Sequence, residues 1–296
     1  MKARELLAKA TAQLADAGVE SARVDAELLL AHVLRVTRGR LLLVDDVSIG
    51  QAGEFHGLVA QRALRVPLQH ITGRAAFRRI EIAVGPGVLT PRPETELIVE
   101  AALARLEEVQ SLRRTVVDLC SGSAAMTASI AIEATNCDVI GLELDEAAFA
   151  WGQRTVQDLA DEIQNANSRV DLRRGDVRGC AETALPDLLG RVDVVVSNPP
   201  YIPKDAVPRD PEVHQHEPAV ALYGGSDGME FVGAVADAAA ALLKPGGLLV
   251  IEHGDLQGED GEVSVPRLLR SHGSFSDVLD HLDLAGRPRY TTAVKS

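Results

Sequence analysis

Asn198-Pro199-Pro200-Tyr201 is the stretch whose residue types and order point most directly to chemistry. It follows an apolar run, Val192-Asp193-Val194-Val195-Val196-Ser197, which reads as a buried strand. Two consecutive prolines forbid helix and continued sheet pairing, so the strand stops there. A residue ahead of proline is pushed towards an extended conformation. Asn198 is therefore expected at the carboxyl end of a strand with its amide projecting outward. Pro199 and Pro200 carry no N–H, which leaves their carbonyls free to accept. The tetrapeptide reads as a rigid acceptor cradle for an –NH2 group; the bland alternative is a stiff turn that only ends a strand.

A second constellation precedes it. Asp118, Cys120, Ser121, Gly122 and Ala124 lie in Val117-Asp118-Leu119-Cys120-Ser121-Gly122-Ser123-Ala124, between a strand and its helix. Small residues let a ligand approach the backbone, and a helix N-terminus offers N–H groups to an anion. Glu143 ends the next strand, about twenty residues beyond Gly122, the spacing of an acid that binds ribose hydroxyls. Asp176, after the third strand, is placed to grip an adenine amine, and Val177 beside it to pack on the base. A dinucleotide enzyme shares much of this geometry. However, the glycines do not form G-x-G-x-x-G, and hydride transfer gives no reason for an amine cradle. S-adenosylmethionine accounts for both halves: adenosine for Glu143 and Asp176, a zwitterionic amino-acid end for the loop, and a methyl aimed at Asn198.

The elements that must position these residues follow from periodicity. The first ~70 residues read as helices. They run over Glu5–Ala17 with Gly18 as a stop, then from a Ser21 cap, and then from Ser48 to about Arg65. Phe77 to Leu89 alternates and then reaches Gly85-Pro86-Gly87, which predicts a β-hairpin. Pro93, Glu94 and Glu96 suit the first turn of a helix. From Thr115 strands and helices alternate, the sign of a mostly parallel sheet. Strands are expected at 115–119, 138–142, 170–174, 192–197, 247–252, 275–279 and 290–294. Helices are expected at 125–134, 147–165, 230–243 and 265–272. Lys244-Pro245-Gly246-Gly247 reads as a helix stop and turn.

The chain has 296 residues, 46% hydrophobic and 25% charged, ordinary values for a globular protein. No apolar run reaches membrane-span length, and Met1-Lys2-Ala3-Arg4-Glu5 is unlike a signal peptide. Three cysteines without a CxxC pair imply neither a disulfide framework nor a zinc site, and His214 and His216 read as a solvated loop pair. No metal is expected, and a reducing cytoplasm is the natural setting. The net charge of −13 argues against a free nucleic-acid substrate, although Arg62, Arg65, Arg74, Arg78 and Arg79 form a mildly basic stretch.

Three separated motifs carry a resemblance that covers essentially the whole chain. Arg65-Val66-Pro67-Leu68-Gln69-His70-Ile71-Thr72-Gly73, Pro91-Arg92-Pro93-Glu94-Thr95-Glu96 and Ser197-Asn198-Pro199-Pro200-Tyr201-Ile202 resemble the bacterial peptide chain release factor N5-glutamine methyltransferases (HemK/PrmC). His216-Glu217-Pro218, Tyr223-Gly224-Gly225, Asp227-Gly228 and Asp283–Arg289 extend the likeness. The resemblance implies an α/β, Rossmann-like class I S-adenosylmethionine-dependent methyltransferase domain behind a small all-helical domain and a hairpin linker. The expected boundaries are 1–73 for substrate recognition, 74–92 for the linker and 93–296 for catalysis. It implies methylation of the glutamine amide in the Gly-Gly-Gln loop of class I release factors, with no direct nucleic-acid or membrane partner. In that reaction the Asn198 side-chain oxygen and the Pro199 carbonyl would accept the two N–H bonds, and Tyr201 would pack on the glutamine. The cofactor loop departs from the family's D-x-G-x-G-x-G at Cys120 and Ala124. Both additions are small, and Ala124 falls where a helix should begin, so a working site is expected, with Ala124→Gly costing stability. The alternatives are methylation of a ribosomal-protein glutamine, an adenine amino-methyltransferase, and a non-catalytic binding module with a degenerate loop.

Overall fold

The computed structural model describes residues 1–296. The chain folds into two units. One comprises Met1–Arg74 together with Pro208–His216; the other comprises Ala75–Val207 and Glu217–Ser296.

The first unit is helical. Helices α1 (Ala3–Asp16), α2 (Ala22–Leu34) and α3 (Ile49–Ala63) bury Leu6, Leu14, Leu29, Leu30, Phe55 and Val59 at helical spacing. Ser48 caps α3 in a capping box with Gln51. Ser21, expected to cap α2, does not: its hydroxyl donates to Asp25 at 2.7 Å and supports an ion pair instead. A short α4 (Leu68–Thr72), closed by Gly73, was not anticipated. Asp25 binds Arg62 at 2.7 Å, and Glu212 from the short helix Pro211–His216 binds Arg62 and Arg65 at 2.8 and 2.5 Å. His214 and His216 therefore lie in a helix rather than a loop.

The second unit opens within the first strand of a hairpin, β1 (Arg74–Phe77) and β2 (Ile80–Ala83), earlier in the chain than expected. Its turn uses Arg78 at φ +52°, with no glycine to announce it. The Arg78 backbone N–H donates to Glu96, and its guanidinium to Glu133, which Arg79 also approaches at 3.5 Å. Arg62, Arg65, Arg78 and Arg79 are thus matched by carboxylates rather than forming a bare basic patch. After α5 (Glu96–Glu108) comes a seven-stranded sheet: β3 (Arg114–Leu119), β4 (Cys137–Glu143), β5 (Arg169–Arg174), β6 (Val192–Ser197), β7 (Leu243–Glu252), β8 (Phe275–Leu282) and β9 (Pro288–Lys295). The order is β5-β4-β3-β6-β7-β9-β8, with β3 to β7 parallel and β9 antiparallel to both neighbours. This is a Rossmann-like, mostly parallel sheet in which β9 alone runs antiparallel to both its neighbours.

Every residue of β6 is buried, as a parallel strand covered on both faces must be. Val195 and Leu249 face one core with the helix Glu230–Leu242; Val194, Val196 and Val250 face the other with α5 and α6 (Ala125–Glu133). The expected helix 147–165 is two, α7 (Glu146–Asp158) and α8 (Ala160–Asn165), broken at Leu159 so that Leu159 and Ile163 both enter the core. Lys244–Gly247 belongs to β7, where the pairing with β6 is irregular.

Candidate active site

The chain reverses direction across the sheet between β3 and β6, and ligands bind at such switch points outside the carboxyl ends of the strands. The register pairs Leu119 with Ser197, and the Ser197 hydroxyl donates to the Leu119 carbonyl at 2.7 Å. The loop after β3 and the tetrapeptide after β6 therefore start side by side. Glu143 ends β4, Asp176 follows β5, and Ser197 pairs with Ile251, so that Glu252 ends β7 beside Asn198. Strand ends carry all of these side chains to one edge.

There Glu143, Asp176 and Asn198 border a cavity. Of the expected cofactor residues, Cys120, Gly122, Glu143, Asp176, Val177 and Asn198 line it. Asp118, Ser121 and Ala124 do not; they are buried behind the wall. Asp118 accepts from the Thr127 hydroxyl at 2.6 Å, and its other oxygen has no partner. Burial pushes its carboxyl up to about 7. Ala124 packs towards Gly152 of α7.

Cys120, Gly122 and Ala124 have φ of +66°, +56° and +61°. All three positions at which the family pattern has glycine are left-handed, although two carry a Cβ. Ala124 is thus not an ordinary helix start: the loop holds it in a conformation that costs an L-residue roughly 1–2 kcal/mol. The loop N–H groups are also less free than expected. Ser121 donates to Leu142, Ala124 to Ser121, and Gly122 to Glu143 at 2.7 Å.

Glu143 accepts Gly122 N–H on one oxygen and Asp145 N–H on the other, which fixes its plane and leaves a lone pair on each. Burial raises its carboxyl above the usual range against these bonds. Asp176 is held by Arg178, whose hydrogen bonds lower its carboxyl and keep it an acceptor. Leu142, Val177 and Phe231 supply apolar walls, and Val88 and Leu89 enter from the loop that Trp151 pins by donating to the Pro86 carbonyl at 3.2 Å. Sequence reasoning missed Val88, Leu89 and Phe231, which carry no motif of their own.

Asn198 and Pro200 line the same cavity. The Asn198 Nδ2 donates to Thr95 Oγ1 at 3.2 Å, while Oδ1 and the Pro199 carbonyl receive no hydrogen bond from the protein. Tyr201 turns its hydroxyl to Glu252 at 3.2 Å, and its carbonyl accepts from Gln257 at 3.0 Å. The motif glycines gain a physical reason here. A Cβ on Gly224 would collide with the Pro200 carbonyl, and one on Gly228 with the Tyr201 carbonyl. Glu217 of His216-Glu217-Pro218 accepts from Thr90 N–H at 3.3 Å and from Arg92 at 2.6 Å, tying down the start of the Pro91–Glu96 stretch.

A family model of the PrmC N-terminal domain matches residues 5–73. The release factor glutamine methyltransferase of Streptomyces coelicolor is 44% identical, over 98% of this chain and 97% of that protein. This chain belongs to the release factor glutamine methyltransferase family. Another member, from Mycolicibacterium smegmatis, is 42% identical over 99% of this chain and 97% of its own. A relative of different name, the 4-amino-L-phenylalanine/4-methylamino-L-phenylalanine methyltransferase of Streptomyces pristinaespiralis, is 38% identical over 92% of this chain and 88% of its own. Proteins of this family architecture thus include one whose name gives an arylamine rather than a protein amide.

Proposed function

We propose that the protein transfers a methyl group from S-adenosylmethionine to the side-chain amide nitrogen of the Gly-Gly-Gln glutamine in class I release factors. One observation carries this reading: Asn198, whose Oδ1 receives no hydrogen bond from the protein, lines the same cavity as Glu143 and Asp176, and the equally unengaged Pro199 carbonyl follows it in the chain.

The residues fit the cofactor. Glu143 keeps lone pairs for ribose hydroxyls, Asp176 is an acceptor for the adenine amine, and Leu142, Val177 and Phe231 suit a flat ring. Gly122 and Cys120 line the side left to the methionine end, and the space beside Gly122 is open. The bound donor supplies an electrophilic methyl carbon whose bonding pair leaves with the sulfur.

An amide nitrogen is a poor nucleophile because its lone pair is delocalised into the carbonyl. Asn198 Oδ1 and the Pro199 carbonyl accept its two N–H bonds, fix the nitrogen and stabilise the positive charge that develops on it. The alkylated amide is strongly acidic and loses its extra proton to water, so no carboxylate is required as base. Tyr201 is engaged with Glu252, and its role is to hold the tetrapeptide.

A labelled-donor assay tests the reading against its rivals. Transfer to a class I release factor, with none to 4-amino-L-phenylalanine, duplex DNA or ribosomal protein, is the expected outcome. Preferential transfer to the arylamine would place the chain with its Streptomyces pristinaespiralis relative instead.

A further inference from the structure

The chemistry at Asn198 depends on which end of its amide faces the cavity. With Oδ1 forward it accepts an N–H; with Nδ2 forward it can only donate, and it opposes an incoming –NH2. The side chain itself has no preference. Two residues behind it do. Thr95 Oγ1 accepts from Asn198 Nδ2 at 3.2 Å and donates to Glu252 Oε2 at 2.7 Å. A hydroxyl has one proton. Once Glu252 takes that proton, Thr95 offers Asn198 only a lone pair, and only Nδ2 can use it. Glu252 Oε1 is in turn satisfied by the Tyr201 hydroxyl. Glu252 is 1% exposed and Thr95 5%, so bulk water does not compete for these bonds.

We propose that Thr95 and Glu252 are positioning residues that set the orientation of the Asn198 amide and hold its oxygen towards the reacting nitrogen. This rests on the reading that an amide –NH2 docks against Asn198. Neither residue touches the substrate; both act through Asn198.

The relay has a direction that depends on one proton. An ionised Glu252 can only accept, which gives the arrangement described. A protonated Glu252 donates to Thr95, whose own proton then goes to Asn198 Oδ1, and the amide turns over. The groups facing Glu252 are Tyr201 from the tetrapeptide, Arg289 from β9 and Glu94 from the turn before α5. His253, the residue after β7, bonds Thr291 and lies by Asp280 instead. Burial outweighs the Thr95 bond and the Arg289 charge, and Glu252 is pushed up to about 7. The switch therefore falls near neutrality, with the productive orientation on the alkaline side.

Thr95→Val removes the hydroxyl and keeps the shape; Thr95→Ser keeps the hydroxyl. Thr95→Val should lower kcat by ~10–100-fold, the usual cost of losing an orienting partner, with cofactor affinity unchanged, and Thr95→Ser should recover most of it. Wild-type kcat should rise with pH through one ionisation near 7, and Glu252→Gln should abolish that limb. Independently of turnover, the side-chain amide nitrogen resonance of Asn198 should shift through the same ionisation in the wild type and not in Thr95→Val. Near wild-type kcat in Thr95→Val, an intact pH limb in Glu252→Gln, or a pH-invariant Asn198 resonance would each overturn the relay. A wild-type enzyme that binds cofactor but methylates no glutamine would overturn the proposed function alone; the Asn198 resonance would still decide the relay.

Discussion

Replacing Asn198 by alanine removes one acceptor from the cradle and leaves Glu143 and Asp176 in place. Asn198→Ala should therefore lower methyl transfer by ~10²–10³-fold, the usual cost of one preorganised partner, while calorimetric cofactor affinity stays near wild type. Retained turnover would show that the cradle has been assigned to the wrong residue. Ala124 offers a test in stability rather than rate. The sequence alone argues that glycine there should cost stability, as at any helix start. The structure reverses the sign, because Ala124 sits at φ +61° with its Cβ buried behind the cavity. Ala124→Gly relieves a left-handed residue and should raise stability by about 1 kcal/mol, read as a higher Tm. A lower Tm would mean that the loop is not held as described. Asn198, Glu143 and Asp176 were legible because their positions follow from strand ends, which local pattern reveals. Thr95 and Glu252 were not. Thr95 reads as part of a helix start and Glu252 as the end of a strand, and only tertiary contact joins them.

The elements that present these residues were legible to different degrees. Parallel strands buried on both faces make continuous apolar runs, so β6 and the helix Val265–His272 fall where periodicity puts them. The hairpin was displaced because its turn relies on Arg78, held left-handed by Glu96 and Glu133 rather than by a glycine. Pro208–His216 grouping with the first unit was invisible for a similar reason. Glu212 meets Arg62 and Arg65 across well over a hundred residues of chain, and no local pattern encodes that. Behind the tetrapeptide, the segment Tyr223–Gly228 acts as a backing that only glycine allows to approach. Gly224→Ala places a methyl against the Pro200 carbonyl and forces the tetrapeptide to shift. Activity should fall at least ~10²-fold, since small misplacements of reacting groups are that costly, while cofactor affinity changes little. A variant of full activity would show that the tetrapeptide does not depend on this backing.

For the whole molecule, charge and pH give the next test. Glu252 and Asp118 are both pushed up to about 7, with burial the chief cause. A carboxyl raised on folding contributes stability that is fully present below its unfolded value and is lost as pH rises through its folded one. Both groups therefore favour the fold under mild acid and oppose it above neutrality. Glu27, Asp187 and Glu212 are shifted down and act in the opposite sense, losing their contribution only as pH falls below the ordinary carboxylate range. Asp118→Asn removes one of the raised groups. Its Tm relative to wild type should improve between about pH 5 and about pH 8. A difference that does not change with pH would show that Asp118 does not take up its proton on folding. The net charge of −13 and the pairing of its arginines fit a protein substrate better than a polyanion. The central claim is that this chain places a methyl on a glutamine amide nitrogen. The most direct test is to incubate the purified protein with S-adenosylmethionine and an unmodified class I release factor, then locate the added mass by peptide fragmentation. A single methyl on the side chain of the Gly-Gly-Gln glutamine, absent with Asn198→Ala, is the predicted result. A methyl on any other residue, or none although the cofactor is bound, would contradict it.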